Sequence, residues 1–125
     1  MSRALSFLLV FLIAASPLTA RPAGAVEAPF ESSLLRLSEI LGSLHFLRNL
    51  CGEEGDNWRK QMEKLLDVEK PDAARRAKFV ASFNRGYRSF EGSYKSCTAS
   101  AIEAIALYMK EGERLTREVT GRYGN

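Results

Sequence analysis

Histidine is almost missing from this chain of 125 residues; His45 is the single one. Hydrolytic and metal centres need several convergent ligands, or a nucleophile beside its base. With one imidazole and two cysteines there is little to build either from. No nucleotide-binding loop occurs. Fifteen acidic residues always allow two to be selected as an acid–base pair, so such a selection identifies nothing. The expectation is a protein that is not an enzyme and carries no metal and no cofactor. Strand patterning is missing as well, because no stretch alternates apolar and polar residues. Neither sign of charge dominates: 18 basic residues face 15 acidic ones. Arg3 and Arg21 belong to the N-terminal segment, and without them 16 basic residues remain, a net charge of +1 that gives no reason to expect nucleic-acid binding.

The N-terminus reads as an export signal. Arg3 supplies the positive start, and the run Leu5–Ala15 is apolar apart from Ser6. That run is too short for a bilayer-spanning helix, which needs about 20 apolar residues. Pro17 then interrupts it, and Ala23-Gly24-Ala25 has the small-x-small pattern of a cleavage site. Leu18-Thr19-Ala20 is a second candidate, weakened by a bulky Leu at its first position. No cysteine lies near the cut to take a lipid. Residues 1–25 are therefore expected to be a signal peptide and residues 26–125 a single domain with no membrane span.

Cys51 and Cys97 both fall in the expected mature part, without CxxC spacing. In an oxidising compartment this pattern predicts a structural disulfide. A loop of 46 residues closed in this way stabilises a fold by about 4 kcal/mol in the chain-entropy account.

Four helical segments follow from the apolar spacing. The first spans about Glu31–Asn49, with Leu34, Leu37, Leu41, Leu44 and Leu47 on one stripe and Arg36, Glu39 and Ser43 opposite; Gly52 suits a left-handed stop. Asp56 is placed to cap the second, whose face is Trp58, Met62, Leu65 and Leu66 and which ends near Glu69, before Pro71. Asp72 can cap the third, expected to run to about Tyr94 along Phe79, Phe83, Tyr87, Phe90 and Tyr94. The fourth starts near Thr98 or Ser100 and carries Ala101, Ile105, Tyr108, Gly112, Leu115 and Val119, with Gly121 in a fraying tail. Short connections predict that consecutive helices are antiparallel neighbours. The fold class is all-α: a compact four-helix domain closed by Cys51–Cys97.

The third helix holds the most informative residues. Asn84 and Gly86 in a helix together cost about 1–2 kcal/mol relative to alanine, so Asn84-Arg85-Gly86-Tyr87-Arg88 calls for a reason. One reason is packing: at Gly86 another helix, or the ring of Trp58 or Tyr108, comes close. The other is a notch that receives a ligand or a partner's side chain. Arg75, Lys78, Arg85, Arg88 and Lys95 lie on one side of the same helix. They are expected either to pair with the acidic second helix or to stay free as a basic face for an anionic envelope polymer. Arg48 borders the apolar stripe of the first helix, where it is expected to lay its stem on the core and to reach a carboxylate or the helix-end carbonyls. It is kept as a candidate binding residue.

The segments Leu35–Arg48 with Leu50-Cys51-Gly52, Trp58-Arg59-x-x-Met62, Phe83–Arg88, Tyr94-x-x-Cys97-Thr98 and Arg122-Tyr123-Gly124 together resemble an uncharacterised family of small exported alphaproteobacterial proteins. The resemblance covers nearly all of residues 26–125. It implies a Gram-negative periplasm as the destination and implies no activity. The functional expectation is a non-catalytic cell-envelope binding or adaptor protein acting on a periplasmic protein partner. The alternative is a binder of a small anionic ligand or anionic envelope polymer, using the Asn84–Arg88 notch and the basic face.

Overall fold

A computed structural model describes residues 30–123; the expected signal peptide lies outside the described residues. Four helices follow one another: α1 (Glu31–Leu50), α2 (Asn57–Glu69), α3 (Ala73–Glu91) and α4 (Ala99–Tyr123). Their ends follow from local chemistry. Gly52 takes φ 101° just past α1, a conformation that costs glycine nothing. The Asp72 carboxylate accepts from the Arg75 N–H at 2.8 Å, and Thr98 Oγ1 accepts from the Ala101 N–H at 3.1 Å. These bonds satisfy donors that a helix start leaves open. Asp56 precedes α2 without a side-chain cap; its carboxylate meets Lys60 Nζ at 3.4 Å instead. Two ends differ from expectation. α3 stops at Glu91, where Gly92 interrupts it, so Tyr94 lies beyond the helix, and α4 continues through Gly121 to Tyr123.

α1 is the hub. Its start meets the start of α3 through Glu31–Arg75 and its later turns meet later turns through Phe46–Tyr87, so these two helices are parallel. Ser33 reaches Glu118 near the end of α4, while Cys51 is bonded to Cys97 just before α4 begins; α4 is therefore antiparallel to α1. α2 also runs back along α1, since Glu69 at its end approaches Arg75, which holds Glu31. Among the described residues α3 and α4 make no close backbone approach, and neither do α2 and α4. The expectation that consecutive helices are neighbours thus fails for α3 and α4: each prefers α1, and side chains such as Phe90 and Tyr108, edge-to-face at 5.5 Å, span the space between them.

A helix with neighbours on three sides has no polar face to spare. One core joins α1 to α4 through Ile40, Leu44, Leu47, Ala101, Ile105 and Leu115. A second joins α1 to α2 and α3 through Leu34, Leu41, Met62, Leu66 and Phe79. Arg36, Glu39 and Ser43, expected to face outward, are all engaged. Arg36 forms a two-pronged bond with Glu111 of α4 (2.8 and 3.0 Å), and Glu39 meets Arg85 of α3. Ser43 is buried, its hydroxyl donating to the Glu39 carbonyl at 3.0 Å.

The α1–α3 contact explains Gly86. A Cβ there would lie 2.0 Å from the Glu39 carbonyl oxygen, and one on Gly42 would lie 1.9 Å from the Phe83 carbonyl oxygen. Each glycine faces the backbone three residues before the other, so the two helices touch main chain to main chain. The packing reading of Gly86 is the one the fold uses, with α1 as the approaching element rather than the ring of Trp58 or Tyr108. It also moves the buried line of α3 to Phe79, Ser82 and Gly86, leaving Phe83, Tyr87 and Phe90 half-buried along its edges.

Candidate functional site

The Asn84–Arg88 segment splits in three directions because successive helical residues point about 100° apart. Gly86 is filled by α1 and forms no open notch. Arg85 is largely exposed and donates to Glu39 Oε2 and to Ser82 Oγ, each at 3.4 Å. Arg88 is exposed and has no carboxylate within 4 Å among the described residues. Asn84 and Tyr87 face a cleft between α2 and α3. Arg48 pairs with Glu53 at 2.5 Å, while its Nε is buried without an acceptor among the described residues.

The basic side of α3 is partly neutralised, and by α1 more than by α2. Arg75 forms a two-pronged bond with Glu31 (3.2 and 2.7 Å), whose side chain is only 6% exposed, and it reaches Glu69 at 3.7 Å. The hydrogen bond to Glu31 raises the pKa of Arg75 above its ordinary value. Lys78, Arg88 and Lys95 remain without carboxylate partners among the described residues.

His45 keeps company with rings rather than with catalytic partners: Phe83 at 5.9 Å and Tyr87 at 5.6 Å between centroids. Burial, and then the charge of Arg59, push its pKa down. Among the described residues no three His, Cys, Asp or Glu side chains gather as a metal site requires.

A larger concavity than the α2–α3 cleft lies where sequence reasoning placed no site. Because α2 and α4 flank α1 without meeting, the surface of α1 between them is left as the floor of an apolar groove of about 730 Å³. Leu37, Ile40, Leu41 and Leu44 form the floor, with Trp58, Leu65 and Val68 on the α2 wall and Tyr108, Met109 and Val119 on the α4 wall. Val68 is 78% exposed and extends the apolar trough to the surface. Trp58 packs against both cores, and its indole Nε1 is buried with no acceptor among the described residues. On the rim Arg117 and Glu113 approach at 3.9 Å, while Lys64 has no carboxylate within 4 Å among the described residues. One signal in the sequence pointed here: Trp58, Leu65 and Val68 form a second apolar line on α2 beside Met62 and Leu66, wider than one neighbouring helix covers.

A family profile matches residues 29–123, a span that takes in all four helices and both cysteines. The chain belongs to the family described as protein of unknown function (DUF2385). The α2–α4 groove and the α2–α3 cleft both fall inside the family's span. No curated protein and no solved structure matches the chain. No described helix is long and apolar enough to cross a membrane.

Proposed function

We propose that this is an exported, non-catalytic binding protein of the periplasm, an adaptor that receives an amphipathic helix of a protein partner in the α2–α4 groove. The observation that supports this reading is the groove itself: an apolar floor of one helix between two walls whose backbones make no close approach among the described residues. The α4 wall extends from Tyr108 to Thr120, about 18 Å at 1.5 Å per residue, or some three helical turns. That shape suits a helix presenting apolar residues at i, i+3 or i+4 and i+7. Unpaired Lys64 on the rim suits an acidic residue on the docked helix, which would set its direction. The anionic-polymer alternative would rest on Lys78, Arg88 and Lys95, since Arg75 is held by Glu31 and Arg85 has Glu39 at 3.4 Å.

The test is photo-crosslinking in cells from position 68, with position 77 on exposed α3 as the control. The captured segment is identified, synthesised and titrated by calorimetry. A helical peptide that loses affinity about tenfold or more when Leu65 is changed to Asp supports the reading, in line with the loss of a buried apolar anchor. A captured segment that is not amphipathic, or one indifferent to Leu65→Asp, refutes it.

A further inference from the structure

On the other side of α2 a second, smaller cleft of about 380 Å³ opens toward α3. Its apolar wall is made by Met62 and Leu66 of α2 and by Val80 and Phe83 of α3. Met62 and Leu66 are buried, whereas Val80 is 38% exposed. The rings of His45 and Tyr87 close one end. A cleft of this size belongs to the lower range of small-molecule sites.

The charges around it are arranged asymmetrically. α2 and α3 run in opposite directions, so Arg59 in the first turn of α2 lies at the His45–Tyr87 end, where its charge acts on the imidazole. Arg76, in the first turn of α3, lies at the opposite end, next to the Arg75–Glu69 contact. Arg59 has a loose partner in Glu63 at 3.8 Å, both side chains being more than 60% exposed. Arg76 has no carboxylate within 4 Å among the described residues. The lining therefore offers one guanidinium with no carboxylate partner among the described residues, an apolar surface beside it, and an aromatic end where the second guanidinium, Arg59, is shared with Glu63.

From this juxtaposition we propose that the α2–α3 cleft is a binding site for a small amphiphilic anion, with a carboxylate held by Arg76 and an apolar body laid along Met62, Leu66, Val80 and Phe83. A cation is disfavoured because Glu63, the one carboxylate in the lining among the described residues, is already shared with Arg59. A plain inorganic anion leaves the apolar wall wet. Arg76 is better suited than a lysine to the task, because its planar fork matches both carboxylate oxygens. The site is separate from the α2–α4 groove and does not depend on it.

The test is a titration of the purified, disulfide-closed protein with sodium octanoate, followed by amide nitrogen–proton correlation spectra. Octan-1-ol serves as the uncharged chain and acetate as the charged head without a chain. The site as proposed gives saturable shifts centred on Val80, Phe83 and Asn84, with octanol and acetate each weaker by about tenfold or more. Arg76→Gln weakens octanoate about tenfold with an unchanged circular dichroism spectrum, while Lys64→Gln, on the rim of the other groove, leaves it unchanged. Several results overturn the proposal: equal affinity for acid and alcohol, shifts centred on Leu37, Met109 and Gly112 instead, an Arg76→Gln variant that binds normally, or no saturable shift up to about 10 mM octanoate. Val80→Asp supplies a second check, since an added carboxylate beside the apolar wall must repel octanoate even if Arg76→Gln perturbs the helix start.

Discussion

Gly42 and Gly86 set the distance between α1 and α3, and that distance has a measurable consequence. A methyl group at either position meets the carbonyl oxygen of Phe83 or Glu39 about 2 Å away, on backbone that cannot swing aside. Gly42→Ala and Gly86→Ala are each expected to destabilise the fold by about 3 kcal/mol through overpacking, despite alanine's better helix propensity. Gly112 is the opposite case: a Cβ there lies 3.5 Å from Ile40 Cγ2, an ordinary contact. Gly112→Ala is expected to stabilise by up to about 1 kcal/mol, the helix-propensity gain alone. Urea unfolding of the three variants checks both signs, and similar midpoints for all three would contradict the close α1–α3 approach. The glycines were visible in the sequence, and Gly86 announced a packing purpose by its place between Phe79 and Phe90. Its partner was not visible, because Gly42 has no periodic signature of its own. Only the crossing of two helices makes the pair reciprocal.

At the level of whole helices, α1 is attached to its neighbours by ion pairs at positions that read as solvent-facing in one dimension. Arg36 holds Glu111 of α4, and the hydrogen bond from Arg36, aided by its charge, keeps the Glu111 carboxyl below the ordinary glutamate range against the opposing effect of burial. The unfolded chain takes up that proton first as pH falls. The pair's contribution is therefore complete above about pH 5 and is lost progressively below about pH 4. Both side chains are about a third exposed, so its size is about 1 kcal/mol rather than several. Glu111→Gln is expected to lower stability by that amount at pH 7 and to make less difference at pH 3. Denaturant melts of the variant and the parent at both values check this, and an undiminished gap at pH 3 would assign the effect to something other than the carboxylate. The same reasoning explains why the basic side of α3 was only half readable. The spacing of Arg75 and Arg85 was plain, but the acids that hold them most closely, Glu31 and Glu39, sit on α1, and the acidic neighbour in sequence adds only Glu69 at 3.7 Å.

For the whole molecule, the Cys51–Cys97 bond joins the end of α1 to the start of α4 across 46 residues. Among the described residues α4 approaches the backbone of no helix but α1. The bond therefore anchors the one helix that forms the far wall of the groove. Replacing both cysteines by serine is expected to cost about 4 kcal/mol, measured by denaturant unfolding. Proteolysis should then cut first within α4, and cutting spread evenly over the four helices would argue against this division of labour. Most residues that make the elements were legible along the chain: the cap at Asp72, the stop at Gly52, the apolar repeats and the two cysteines are short-range features with local causes, while the choice of Thr98 over Ser100 as the α4 cap came from the structure. Which helix stands at the centre was not legible, since burial on three sides is a property of neighbours far apart in sequence. The groove follows from that choice. α2 and α4 each satisfy their apolar stripes on α1, and the space they leave between them exists only once three helices share one axis.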